Sequence, residues 1–149
     1  MDAPLHGRTK VWMAALTVVL GLVTLLVIIF SPGLPQFYAA PIVMCLISAA
    51  YFFGSTRDAA LSRRILTSAH GLVAAIMTLG AIALYASGNS RPVYGPPFLF
   101  LYFIPLGLAG ASLISYPGPK AMHVLQGPNV AAMLWGALIG GMAASGEWL

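Results

Sequence analysis

Two histidines, His70 and His123, fall inside long apolar stretches of this sequence, and they pose its first chemical question. An ionisable side chain in such surroundings is costly to keep and marks a candidate site by default. Imidazole can hydrogen-bond a quinone carbonyl or ligate a metal through either ring nitrogen, and two facing imidazoles can hold the iron of a b-type haem. His123 is followed closely by Gln126, Gly127, Pro128 and Asn129. Proline has no N–H to return to the carbonyl four residues back, so a helix running through Pro128 is expected to break there, leaving the Val124 carbonyl free between two amides. Upstream of His70 stand Arg57, Asp58, Arg63 and Arg64, and guanidinium pairs with phosphate. His70, His123, Gln126, Asn129, Arg63 and Arg64, with Tyr116 nearby, thus form a candidate ligand site for a quinone head group, a lipid phosphate or haem b.

A plainer account competes with each of these. A histidine one or two turns inside an apolar helix can hydrogen-bond a neighbouring carbonyl, and the arginines are explained as topology determinants touching anionic lipid. The residues also limit chemistry. Asp58 is the one acid near the arginines, apart from Asp2 at the tail, and no carboxylate accompanies His70, so a serine triad is unsupported. Ser68, Ser112 and Ser115 can bond back to their own helices. Cys45 is the single cysteine, which excludes an intrachain disulfide and a thiolate metal cage. No metal site and no catalytic residue is assigned.

The elements that carry these residues follow from composition. Of 149 residues, 60% are hydrophobic and 7% charged, with a mean hydropathy of +0.91. Soluble domains carry about 25% charged residues, so a water-facing surface cannot be built from this chain. Five stretches free of Asp, Glu, Lys and Arg, at 11–30, 36–54, 65–87, 97–116 and 121–145, are long enough to cross a hydrocarbon core of about 30 Å. Proline and glycine clusters mark three of the links between them, and the charged stretch 55–64 marks the other. The expected fold is an all-α membrane protein, one polytopic domain of five transmembrane helices. A β-barrel would alternate in segments of about ten residues, which this sequence does not do.

Cations set the orientation. Arg8, Lys10, Arg57, Arg63, Arg64 and Lys120 fall on one side of such a bundle and Arg91 alone on the other. Cytoplasmic loops hold the excess, which places the N-terminus in the cytoplasm and the C-terminus outside in a multi-pass protein of the cell membrane. The net charge of +4 therefore reads as topology; a basic stripe with interleaved aromatics, as nucleic acid would need, is missing. The first apolar run is too long for a signal-peptide core and is expected to be a retained helix.

Helices in lipid associate through small residues that let backbones approach. Ala132, Gly136, Gly140 and Ala144 recur at four-residue spacing in the last helix, and Gly107 and Ala111 repeat the pattern in the fourth. These faces are expected to meet other helices, within the chain or in a partner or second copy. Coupled transport calls for a membrane-embedded carboxylate or an ion site on helices broken at the midplane; the sequence has no such carboxylate, and its one well-marked break, at Gly127 and Pro128, is expected near the inner face. The expectation is a non-catalytic accessory, assembly or interaction subunit, with a quinone, lipid or haem-binding subunit of a redox complex and an oligomeric channel as alternatives.

Overall fold

The computed structural model describes residues 7–30 and 35–147, and it is all-helical, with no strand among the described residues. The helices are α1 (Gly7–Ile29), α2 (Pro35–Gly54), α3 (Leu61–Ala86), α4 (Gly95–Leu101), α5 (Phe103–Ser115) and α6 (Gln126–Ser145), with 3₁₀ turns at Pro92–Tyr94 and Lys120–Leu125. Asp2, the first link at 31–34, Trp148 and the side chains of Arg8 and Lys10 lie outside what is described. Three helical segments are long and apolar enough to cross a membrane: Phe37–Gly54, Leu61–Ala86 and Pro92–Ser115.

Two expected helices differ in detail. The segment at 97–116 is divided at Tyr102 into α4 and α5. Pro105 is the cause: it cannot donate to Leu101, and the chain tightens so that the Tyr102 N–H is shared between the Phe98 and Leu99 carbonyls, each at 3.2 Å. The segment at 121–145 opens as the 3₁₀ turn, and α6 begins only at Gln126. Pro128 therefore sits in the first turn of α6, where its missing N–H would have had no intrahelical partner. It starts the helix and does not kink it. At its other end α6 stops at Gly146, whose φ of +76° suits glycine and whose N–H returns to the Met142 carbonyl at 2.9 Å.

α6 is the centre of the assembly and lies against α1, α2, α3 and α4, while α3 packs on α2, α5 and α6. Small residues make this possible. Ala132, Gly136, Gly140 and Ala144 are all buried inside the chain. A Cβ on Gly136 would lie 2.6 Å from the Tyr102 hydroxyl and 2.8 Å from that of Thr78, and one on Gly140 would enter the Phe98 ring. That ridge is filled by α3 and α4 of the same molecule. Gly107 and Ala111 take the other course: both are exposed, and nothing lies within 4 Å of a Cβ built on Gly107. Trp135 packs at the margin of the core formed by Ala40, Met44, Ala74, Tyr102 and Met133.

Backbones approach closely at two further glycines. A Cβ on Gly127 would overlap the Thr17 carbonyl of α1, and one on Gly71 the Met44 carbonyl of α2. Beside the second crossing the Ser48 hydroxyl donates to the Ser68 carbonyl at 2.6 Å and accepts from the Leu72 N–H at 2.8 Å. It thus bridges one rung of the α3 ladder from a neighbouring helix.

The ends of the bundle are tied separately. At one, the Thr56 N–H donates to the Pro117 carbonyl at 2.8 Å and Arg63 Nε to the Ser115 carbonyl at 2.9 Å. At the other, Ser90 Oγ donates to the Ala143 carbonyl at 2.6 Å and the Arg91 N–H to the Ala144 carbonyl at 3.1 Å. The loop bearing Arg57 and the link before Lys120 therefore share one end, and Arg91 lies at the opposite one. Between them the outer surface is apolar, with Leu46, Phe53, Ile76, Phe100, Ile114 and Leu134 all exposed.

Candidate functional site

The polar residues singled out in the sequence separate into three groups. His70, Gln126 and Asn129 form one closed network in the interior. α3 supplies the histidine, on its face carrying Thr67, His70, Gly71, Ala74 and Thr78, all buried at helical spacing. α6 supplies both amides, which its first turn aims the same way because they stand three residues apart. His70 and Asn129 are fully buried and Gln126 nearly so.

The bonds close on themselves. Asn129 Nδ2 lies 2.9 Å from Gln126 Oε1 and 3.1 Å from His70 Nδ1. Gln126 Nε2 lies 3.3 Å from His70 Nε2 and donates at 2.8 Å to Ser112 Oγ of α5, whose own hydroxyl bonds back to the Ala109 carbonyl at 2.7 Å. A buried polar group without a partner costs about 1–3 kcal/mol, so this mutual satisfaction is what lets the three residues occupy the core. Two groups are left over: Asn129 Oδ1, a buried oxygen with no hydrogen-bond partner, and one nitrogen of His70, since both face amide N–H donors and a neutral imidazole has one acceptor.

His123 belongs to a second group, organised by Tyr51. Its ring lies edge-on to His70 with centroids 5.1 Å apart, 4.6 Å from the Tyr116 ring and 6.4 Å from that of His123. The Tyr51 hydroxyl donates to the Met122 carbonyl at 3.2 Å and lies 3.4 Å from His123 Nδ1. The two histidines are thus brought to one end of the bundle, as the sequence suggests, but a tyrosine stands between them. Both His70 nitrogens face amides, so the pair does not fit as the two axial ligands of one haem iron. Among the described residues no group of three His, Cys, Asp or Glu side chains is gathered as a metal site would need.

Arg63 and Arg64 form the third group and do not join the histidines. Arg63 is tied to Ser115, while Arg64 Nη2 donates to the Phe52 carbonyl at 3.2 Å with its guanidinium carbon 4.6 Å from the Phe52 ring centre. A cation over an aromatic face is held by the ring quadrupole.

Tyr51 and Ser112 were not among the expected site residues. Both were legible from spacing: Ala40, Met44, Ile47 and Tyr51 recur at four, three and four residues, as do Pro105, Ala109 and Ser112 at four and three, and each set is buried. Chemically the interior network offers no carboxylate, and its imidazole is reserved by amide partners; it can hold helices in register but presents no free nucleophile. No family model, no curated protein and no solved structure matches this chain.

Proposed function

We propose that the chain crosses the cell membrane five times, N-terminus in the cytoplasm and C-terminus outside, and serves as a non-catalytic accessory or interaction module for other membrane components. One observation carries this reading. His70, Gln126 and Asn129, the polar side chains deepest in the apolar segments, are spent on one another within the core, while the outward surface of the long helices is apolar. What such a molecule offers its surroundings is surface for helices and lipid. Three segments of spanning length support the membrane assignment. α6, whose Gln126 and Asn129 are turned inward to α3 and α5, and α1, with Val11, Trp12, Val18 and Leu22 exposed, fit two further spans. In lipid each helix keeps its backbone bonded internally, which is what a chain with no strand requires.

The topology is tested by single cysteines at Asp58 and Asn89 in a Cys45→Ser background. Impermeant thiol reagents are expected to reach position 89 from outside and position 58 only from the cytoplasmic side; labelling of both from one side would refute the arrangement. For the interaction role, photo-crosslinkers spaced around the exposed faces of α1, α2 and α5 should capture a membrane protein or a second copy from one face in native membranes. Uniform absence of adducts from all faces would sink it.

A second reading, lipid binding at the cytoplasmic end, is favoured by the Arg64 guanidinium lying beside an apolar groove.

A further inference from the structure

The outer surface is interrupted between α2 and α3 by a groove of about 370 Å³, lined by Cys45, Ala49, Phe52, Phe53, Ile65 and Leu72 with Ser48 and Ser68 at its floor. Both floor hydroxyls are already satisfied. Ser48 bridges Ser68 and Leu72, and Ser68 Oγ donates to the Arg64 carbonyl at 2.8 Å and lies 3.1 Å from that of Ile65. The groove therefore asks for an apolar occupant. Along α3 it runs from Ile65 to Leu72, about 10 Å at the helical rise, a suitable bed for part of an extended hydrocarbon chain.

Its mouth is charged. Arg64 lies across the ring of Phe52, itself a groove residue, and Arg57 stands exposed on the loop joining the two groove helices. The first turn of α3 contains no acid, and its N-cap, Ala60, supplies no side-chain bond to the unpaired N–H groups. Cations at the positive end of a helix dipole repel it, and an anion seated there relieves both. An apolar trough leading to a cationic mouth, at the end of the bundle that the cation count assigns to the cytoplasm, matches a lipid whose phosphate is anionic and whose chain is saturated carbon.

We propose that this groove holds one acyl chain of an anionic phospholipid of the cytoplasmic leaflet, with the headgroup phosphate on Arg64 and Arg57. The inference rests on the membrane reading above and deepens its lipid alternative, moving the site from the histidines to the α2–α3 face.

Native mass spectrometry of the full chain, released from detergent containing equal amounts of phosphatidylglycerol and phosphatidylcholine with identical chains, tests it directly. Wild type should retain one phosphatidylglycerol in preference to phosphatidylcholine. Arg64→Gln should lower that preference about fivefold, the effect of one cation at a membrane surface. Arg64→Lys should keep most of it, and Arg91→Gln, at the other end, all of it. Location is read from Cys45 alkylation, which phosphatidylglycerol should slow in wild type but not in Arg64→Gln or, should that variant misfold, in Arg57→Gln. Equal retention of the two lipids, an unchanged preference in Arg64→Gln, or protection of Cys45 by inorganic phosphate alone would overturn the proposal. Alkaline carbonate extraction separates the two readings: a chain washed off the membrane refutes the spanning assignment, whereas a chain that stays but shows no lipid preference refutes only the groove.

Discussion

Asn129→Ala removes the amide that reaches both Gln126 Oε1 at 2.9 Å and His70 Nδ1 at 3.1 Å. Both atoms would be left in a core where His70 is 0% and Gln126 5% exposed, too deep for water to replace the loss. An interhelical hydrogen bond in a membrane protein contributes about 0.6 kcal/mol on average and about 1.7 at most. A buried acceptor stripped of its donor costs about 1–3 kcal/mol. The expected destabilisation is therefore about 2 kcal/mol. The geometry also ranks the pairs. A neutral imidazole has one donor and one acceptor nitrogen, yet Nδ1 and Nε2 of His70 each face an amide nitrogen, at 3.1 and 3.3 Å. Only one can accept, and the shorter contact, to Asn129, is the bond. Double-mutant cycles with His70→Ala, Asn129→Ala and Gln126→Ala should then give a His70–Asn129 coupling of about 1 kcal/mol and a His70–Gln126 coupling near zero. The assay is reversible unfolding in detergent with rising dodecyl sulfate, followed by tryptophan fluorescence and helicity. A His70–Gln126 coupling equal to or larger than the other would mean that the amides point the opposite way. A cost below about 0.5 kcal/mol for Asn129→Ala would mean the network does not hold the core together.

Other outcomes follow from single positions. Gly71→Leu should destabilise the fold by at least about 2 kcal/mol, because its Cβ would overlap the Met44 backbone carbonyl, whereas Gly107→Leu should change unfolding of the isolated chain by less than about 0.5 kcal/mol; equal effects would refute this packing. Tyr51→Phe keeps the ring that touches His70 and Tyr116 and loses the hydroxyl, with its bond to the Met122 carbonyl and its contact with His123 Nδ1, so the same unfolding assay should register about 1 kcal/mol. Gly136→Leu should disrupt the monomer itself, since its face is filled by Tyr102 and Thr78, and a variant that stayed stable while losing only partner adducts would place that ridge outside the core. The purified protein should show no Soret band; a band abolished by both His70→Ala and His123→Ala would restore the haem reading.

Much of this molecule is written locally. Apolar runs bounded by proline, glycine and charge locate the helices, because each must satisfy its own backbone and can do so only where side chains permit burial. The gathering of Arg57 and Arg63 with the chain before Lys120, opposite Arg91, also agrees with loop order alone, since short links force neighbouring helices to alternate. Local rules likewise pointed to His70, Gln126 and Asn129 as costly groups in need of partners.

Which partners they found was decided in three dimensions. Pro128 reads as a break until the helix start is known; with α6 beginning at Gln126, the same residue is harmless. Two small-residue stripes look alike in sequence, yet one is buried at the centre and the other faces outward, because burial depends on what the remaining helices supply. Tyr51 stands between two histidines that spacing alone could bring face to face. Sequence determined that this chain makes apolar helices with a charged end and a few polar residues that must be satisfied; tertiary packing decided that they satisfy one another, because hydrogen bonds and close contacts are short-ranged and only the assembled core says who is within 3 Å of whom.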